Sequence, residues 1–590
     1  MKMRVSDYIA EYLKKIGIRK IFLVSGGGMM HLIDAIAKTG LTYVCNHHEQ
    51  ASAISAEGYA RMSHGLGVCY ATSGPGATNI LTGLVSAWQD SSPVLFVTGQ
   101  SKRSQTIRFS KIKGLRQFGT FEVDIIPIVK SVTKYAHFLD DPESVRYHLE
   151  KAIHLATTGR PGPVLLDIPL DVQGALIEPE KLRGFNPLAR TKTLRTTINF
   201  NDLLSRIQVA YRPLILVGHG VRSANAVLEF RHLINKLNIP IITTQLAKDS
   251  LFYDHPLFVG HCGPKGDRAG NFAVQEADLI IFIGCSLHSL TVGFEVNLFA
   301  PNAYKIQVDI DQAVLDRGDV PVHEKICMHV GEFIYGLQKN VIKKSINHKT
   351  WLKRCTDWKE RFAVRNEPHN VRGDINLYEF VEALSVNLQG TEAIVTDAGS
   401  AFYIMGQAFR IQENQRYIVT GSTGAMGYAM PAATGMAAAC PDISIVAVTG
   451  DGAMQTNIHE LQTWHYNKPN IKLFIIDNDG YSSIRNTQKS FFDGRFIGAS
   501  SDSGVSMPNI AKIVNAYGFD YIAITERSGL VTTIKKVMAM QGPVIVGIKT
   551  QTDQQIMPAV TSSKLEDGSM ISNPLHMMSP IIAEKELSLN

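Results

Sequence analysis

Short apolar runs that end on glycine or aspartate and lead into a helical pattern recur along almost the whole of this 590-residue chain. IFLVS (21–25) runs into Gly26-Gly27-Gly28 and the helical MMHLIDAIAKTG. LTYVCNHH leads into EQASAISAEGYARMSHG, GVCYATSG into PGATNILTGLVSAWQDS, and PVLFVTG follows. Strands alternating with helical stretches of about 10–15 residues predict βαβ units, hence a parallel sheet covered by helices on both faces. The rhythm returns from RPLILVGHG (212–220) through IPIITT, ADLIIFIG and YKIQVDID, and again from AIVTDAGS through SIVAVTGDG, IKLFIIDNDG and PVIVGIK. The pattern predicts an α/β protein of three doubly wound parallel-sheet domains, at 1–175, 190–345 and 370–555. The polar stretches 173–200, with Pro179 and Pro187, and 343–370 read as connectors. Residues 556–590, rich in Ser, Met and Pro, read as a tail, either a lid or a disordered end.

Composition narrows the function classes. Apolar residues at 45% and charged residues at 19% supply large cores and exclude a disordered or fibrous chain. The net charge is +6 with no dense basic run among aromatics, so phosphate-backbone binding of nucleic acid is not supported. Seven cysteines without a CxxC pair argue against a disulfide framework or zinc site and fit a reducing compartment. The N-terminal MKMRVSDYIAEYLKKIG has no apolar signal-peptide region, and no run of about 18 apolar residues exists to span a membrane. The expectation is a cytoplasmic protein whose partners are small molecules.

The most informative stretch is TGDGAMQTNIHELQTWHYNKPNIKLFIIDNDGY (449–481). One apolar strand delivers Gly450-Asp451-Gly452 at its carboxyl end, where doubly wound sheets bind ligands. A second delivers Asp477-Asn478, with Asn478 27 residues after Asp451. A carboxylate, an amide oxygen and a backbone carbonyl are hard ligands suited to Mg²⁺ holding a diphosphate, and the glycines let backbone N–H groups approach phosphate. A lone GDG is more often only a turn; the two elements together shift the reading to a site. Glu49 in NHHEQ begins a helix, where a carboxylate commonly serves only the helix dipole. Met426 in GSTGAMGYAMPAA (421–433) could equally be core filler.

These motifs resemble the thiamine diphosphate (ThDP) enzymes, whose cofactor motif opens on GDG and closes on an Asn pair; Asp477 replaces the first of that pair. The resemblance implies that Asp451, Asn478 and the Gly480 carbonyl bind Mg²⁺, with Gly450, Gly452, Ala453, Tyr481 and Ser482 lining the diphosphate. It implies that Glu49 hydrogen-bonds the cofactor pyrimidine and drives its proton relay, a role suited to a largely buried carboxyl group. ATSGPGATN (71–79) resembles the pyrimidine-facing loop, with Gly74, Pro75 and Asn79. Gly424 would offer its carbonyl to the aminopyrimidine, and Met426 would bend the cofactor. In this family the pyrimidine and diphosphate domains of different chains face each other, which implies a homodimer or homotetramer with active sites at the subunit interface.

Within the family the chain resembles the acetolactate synthase large subunit over nearly its full length: IFLVSGGGMMHLIDAI, SVTKYA and RPGPVLLDIPLDVQ carry the likeness. The central domain would then bind FAD, using Gly218, Gly220, Gly260 and Asp309, which could as well be ordinary turn residues. Departures concern the substrate pocket. The family's RFDDR becomes SLHSL (286–290), an acceptor-selecting tryptophan falls at Thr487, a Gln-His pair after Gly399 becomes Ser400-Ala401, and a pocket glutamine becomes Phe121. Gly28, His31 and Lys134 complete the expected pocket, and Lys134 or Arg485 could stand in for the missing arginine. The resemblance implies decarboxylation of a 2-keto acid, pyruvate, with transfer of the acyl carbanion equivalent to a carbonyl acceptor. A carboxylate acceptor wants a fork-shaped cation, so its loss favours a larger neutral acceptor such as a keto-sugar nucleotide in polysaccharide biosynthesis. The alternatives are a true acetolactate synthase and a non-catalytic scaffold of the same fold.

Overall fold

A computed structural model describes residues 1–187, 196–341, 348–369 and 373–582. The first sheet comprises β1 (Lys20–Leu23), β2 (Thr42–Cys45), β3 (Gly67–Ala71), β4 (Val94–Gln100), β5 (Tyr135–Phe138) and β6 (Val164–Pro169), in the order β2-β1-β3-β4-β6-β5. The second comprises β7 (Pro213–Val217), β8 (Ile241–Thr243), β9 (Phe258–His261), β10 (Leu279–Ile283), β11 (Tyr304–Asp309) and β12 (Glu324–Cys327), in the order β9-β8-β7-β10-β11-β12. The third repeats the order of the first with β13 (Ala393–Thr396), β14 (Arg416–Val419), β15 (Ile445–Gly450), β16 (Ile471–Asp477), β17 (Tyr521–Ile524) and β18 (Val544–Lys549), as β14-β13-β15-β16-β18-β17. The pairings are parallel, and central strands such as β4, β7 and β13 are buried along their whole length, as sheets covered on both faces require. The three doubly wound sheets expected from the sequence are therefore present.

Register carries function. β15 pairs with β16 so that Gly450 lies opposite Ile476, which brings the GDG turn and Asp477-Asn478 to one edge of the third sheet. The helices that matter for that edge and its counterpart in the first domain are α1 (Glu49–Ser63), α2 (Leu81–Gln89), α3 (Lys349–Arg361), α4 (Ser400–Ala408), α5 (Ala429–Ala439), α6 (Asp451–Thr456), α7 (Glu460–Asn467) and α8 (Ser482–Phe491).

α1 of the first domain and α5 of the third cross at backbone contact. A Cβ on Gly435 would stand 1.9 Å from the Ser55 carbonyl, and one on Gly58 would stand 2.5 Å from that of Ala432. The Ser55 hydroxyl donates to the Pro431 carbonyl at 2.8 Å. Alanine-rich faces, EQASAISAEGYARMS against AMPAATGMAAA, leave no side chain to hold the helices apart.

Two polar segments differ from their sequence reading. The stretch read as a connector after 343 contains α3, whose Trp351, Cys355 and Trp358 are buried at helical spacing against the middle domain. Strong surface polarity masks that apolar stripe in composition. The tail is docked over its described part: Leu575 and Met578 are buried against the middle domain, and Arg268 donates to the Met578 and Pro580 carbonyls while pairing with Glu367. Residues 188–195 of the first connector and 583–590 of the tail lie outside the described residues.

Overpacking a tight core typically costs about 1–3 kcal/mol. Gly435→Ala should lower the midpoint of thermal unfolding and loosen the first and third domains from each other, measured by calorimetry and by protease cleavage between them. A wild-type melting profile would contradict the packing described for α1 and α5.

Candidate cofactor site

At the edge of the third sheet, Asp451 opens α6 with its carboxylate fully buried. Its Oδ1 accepts from Gly452 N–H at 2.7 Å, and its Oδ2 accepts from the N–H groups of Asn478 and Gly480 at 3.1 Å each. Burial pushes this carboxyl up to about 6 against the pull of those three donors. Around it, among the described residues, Asn478 Oδ1 and the hydroxyls of Ser400, Ser482 and Ser483 are buried without a hydrogen-bond partner. Buried polar atoms are normally paired, so four orphans together mark a place prepared for a polar ligand. Gly399, at φ 71°, starts α4 there, and a Cβ on it would lie 3.5 Å from the Ser483 hydroxyl. Gly452 is required by the Tyr481 ring, which a Cβ would meet at 2.4 Å. Gly450 faces open space, and Ala453 is buried beside it on α6. The donor chemistry, one carboxylate and one amide oxygen beside unpaired hydroxyls, fits a divalent cation with a diphosphate.

Gly424 and Met426 lie on the loop between β14 and α5. Gly424 adopts φ 63° with open space where a Cβ would be, and Met426 is 43% exposed. Asp397, which the sequence reading did not single out, holds the far end of this loop. Its buried carboxylate accepts from Gly427 N–H at 2.8 Å, Ala429 N–H at 3.1 Å and the Thr449 hydroxyl at 3.0 Å, and Asn457 donates to the Gly427 carbonyl. The signal available was its position in AIVTDAGS, at a strand end next to the sheet centre.

In the first domain Glu49 opens α1, and its Oε2 accepts from Asn79 Nδ2 at 2.9 Å. The loop 72–76 wraps it closely: a Cβ on Gly76 would come within 3.3 Å of Glu49 Oε1. Gly74, at φ 63°, and Pro75 form the turn into that loop, and the Phe121 backbone covers Gly74. Gly28 joins from the neighbouring strand end, donating to the Thr72 hydroxyl at 3.1 Å. Glu49, Asn79, Gly74, Pro75, Gly28 and Phe121 are thus gathered at one sheet edge. Glu49 is only half-buried in the single chain, short of the burial a proton relay calls for. Glu460 of α7, another residue without a sequence signal, ties the two halves by accepting from Asn46 Nδ2 at 2.8 Å and His47 N–H at 2.9 Å.

Other expected pocket residues are placed elsewhere or engaged. His31 lays its ring against Gly174. Thr487 is exposed on α8 with its hydroxyl turned back to Ser483. The two cations offered as replacements for the lost arginine are committed to carbonyls. Arg485 serves those of Asn478, Asp479, Ala499 and Thr552, and Lys134 those of Thr158 and Arg160. Neither presents a free cation to a carboxylate, because several carbonyls converge on each.

A separate open cleft lies where the three domains meet, lined by Gly218, Gly220, Asp309 and Lys265 among others. The glycines serve the fold: a Cβ on Gly218 would stand 2.1 Å from the Gly284 carbonyl, and one on Gly260 would strike the Asp267 carboxylate, away from the cleft.

Sequence comparison agrees with this division. Residues 3–118 match the N-terminal TPP binding domain of thiamine pyrophosphate enzymes, 200–337 their central domain and 397–548 their C-terminal TPP binding domain. The chain is 31% identical to an acetolactate synthase of Arthrospira platensis, covering 94% of this chain and 95% of that one. It is 30% identical to a probable acetolactate synthase large subunit of Methanocaldococcus jannaschii, over 99% and 97%, and 29% identical to an acetolactate synthase large subunit of Cyanidium caldarium, over 94% of each. The chain belongs to the thiamine pyrophosphate enzyme family and is an acetolactate synthase-like, ThDP-dependent carboligase or decarboxylase.

Proposed function

We propose that the protein decarboxylates a 2-keto acid, pyruvate, and transfers the two-carbon acyl unit to a carbonyl acceptor, using ThDP and Mg²⁺. The observation that carries this reading is the pairing of two edges: Glu49 held by Asn79 in the first domain, and Asp451 among four orphaned polar atoms in the third. Asp451, Asn478 and the Gly480 carbonyl would hold Mg²⁺, and the Ser400 and Ser482 hydroxyls, with the turn of Gly450, Gly452 and Ala453, would face the diphosphate. Bound ThDP supplies the electron sink for loss of CO₂. Glu49 gives and takes a proton at its carboxylate, with Asn79 fixing its direction. Gly424 presents a backbone carbonyl, and Met426 an apolar wall that keeps water from the reacting carbon. A scaffold without chemistry has no use for this set.

Glu49 partly exposed, Phe121 68% exposed and Met426 43% exposed favour a second copy covering the site, hence a homodimer or a tetramer built from dimers. The cleft between the domains is where FAD would sit. Lys265 lines it with no ion-pair or hydrogen-bond partner among the described residues, and the Gln245 Oε1 atom is buried unpaired.

For the acceptor, the pocket has lost its arginine to SLHSL (286–290), and Arg485 and Lys134 are engaged. This supports a neutral carbonyl such as a keto-sugar nucleotide. The names of the relatives support the second reading, synthesis of 2-acetolactate from two pyruvates.

Glu49→Gln should cut CO₂ release from pyruvate by about 10²–10⁴-fold with ThDP still bound, the range of a lost proton-transfer group; equal release by both proteins would refute the relay. Asp451→Ala, or chelation of divalent metal, should strip ThDP during gel filtration, while the far-ultraviolet circular dichroism stays native. Incubation with pyruvate alone, then with a keto-sugar nucleotide, separates the acceptors. A product heavier by one acetyl unit is expected in the second, and rapid acetolactate formation in the first would favour the other reading.

A further inference from the structure

The loop that carries Gly424 and Met426 is held at its far end by Asp397, within its own domain. Its near end is held by the first domain. The Asp90 Oδ1 atom accepts from Ser422 N–H at 3.0 Å, and Gln89 Oε1 accepts from the Thr423 hydroxyl at 3.0 Å. Gly421 lies so close that a Cβ there would stand 2.3 Å from Asp90 Oδ1. Between these points Thr420 closes the turn on itself, its carbonyl accepting from Gly424 N–H and its hydroxyl from Ala425 N–H. The turn is therefore a unit whose position is set by what grips residues 421–423.

Asp90 is an odd residue for its place. It caps the C-terminus of α2, where the helix dipole disfavours an anion, and it is 2% exposed. Burial raises its carboxyl, and Arg61 and the hydrogen bond from Ser422 oppose it. Arg61, itself buried, reaches Asp90 Oδ2 at 3.4 Å, the Tyr428 hydroxyl at 3.2 Å and the Val419 carbonyl at 2.8 Å, so it touches both ends of the same loop. Folding of α2 does not call for a carboxylate here; the loop of the third domain does.

We propose that Asp90, supported by Arg61, is a positioning residue that sets the Gly424–Met426 turn at the distance from the cofactor that turnover requires. The proposal rests on the reading that this turn faces ThDP. A misplacement of about 1 Å at a reacting centre can cost about 10²-fold in rate, and Asp90, beside Gln89, grips the turn's backbone from outside its own domain.

The test compares Asp90→Ala, Asp90→Asn, Gly421→Ala and Met426→Ala in full-length protein, measuring kcat and KM for pyruvate, retention of ThDP and the near-ultraviolet circular dichroism of the bound cofactor. Asp90→Ala should lower kcat by about 10- to 100-fold with KM little changed, and alter the cofactor dichroism. Asp90→Asn keeps an acceptor for Ser422 N–H and should stay within about fivefold of wild type. Gly421→Ala pushes the turn off an intact Asp90 and should reproduce the loss; if Asp90→Ala does not fold, Gly421→Ala carries the test on the same criterion. Wild-type kcat in the alanine variants, or equal losses for Asp90→Asn and Asp90→Ala, would overturn the proposal. If Met426→Ala also turns over at the wild-type rate, the placement of the turn at the cofactor falls, and the proposal with it; if Met426→Ala is slow while Asp90→Ala is not, the positioning role alone fails.

Discussion

The contact between α1 and α5 is the constraint on which the rest of the molecule depends. Two helices from opposite ends of the chain approach until the Ser55 carbonyl occupies the space of a Gly435 Cβ. At that distance the relative position of the first and third domains has little freedom, because close-packed backbone cannot slide without collision. Everything that crosses between them is set by this approach: Glu460 on Asn46 and His47, Arg61 on Val419 and Tyr428, Asp90 on Ser422. The small side chains of both helices are therefore a functional requirement as well as a packing one.

The two site edges differ in how they are satisfied. The Glu49 edge is compact, with its carboxylate paired to Asn79 and glycine turns pressed against it. The Asp451 edge is left incomplete, with a buried carboxylate raised by desolvation and four polar atoms lacking partners. A folded protein tolerates such orphans at a cost of about 1–3 kcal/mol each unless a ligand supplies their partners. The incompleteness is local, since the neighbouring carboxylate Asp397 is saturated by four donors, from Ala398, Gly427, Ala429 and Thr449.

Much of this was legible in the residues. The apolar runs that end on glycine became strands of three parallel sheets, since a strand buried on both faces leaves a continuous apolar signature. Asp451 and Asn478 were readable because both sit at strand ends, and register then placed them side by side. Other parts were silent. α3 is so polar that the buried Trp351, Cys355 and Trp358 stripe is submerged in charge. Asp90 and Glu460 look like surface carboxylates in sequence, and only their remote donors show otherwise. Lys134 and Arg485 looked free for a substrate for the same reason: the carbonyls that engage them come from elsewhere in the chain.

By itself the sequence determined the three α/β units, the family and the chemical types at each strand end, because local periodicity and turn chemistry are written in neighbouring residues. Only the tertiary structure decided which of those residues meet, which cations are spent on carbonyls, and which domain holds the Gly424–Met426 turn. Those outcomes depend on pairs hundreds of positions apart, brought together by the packing of α1 on α5 and of strand on strand.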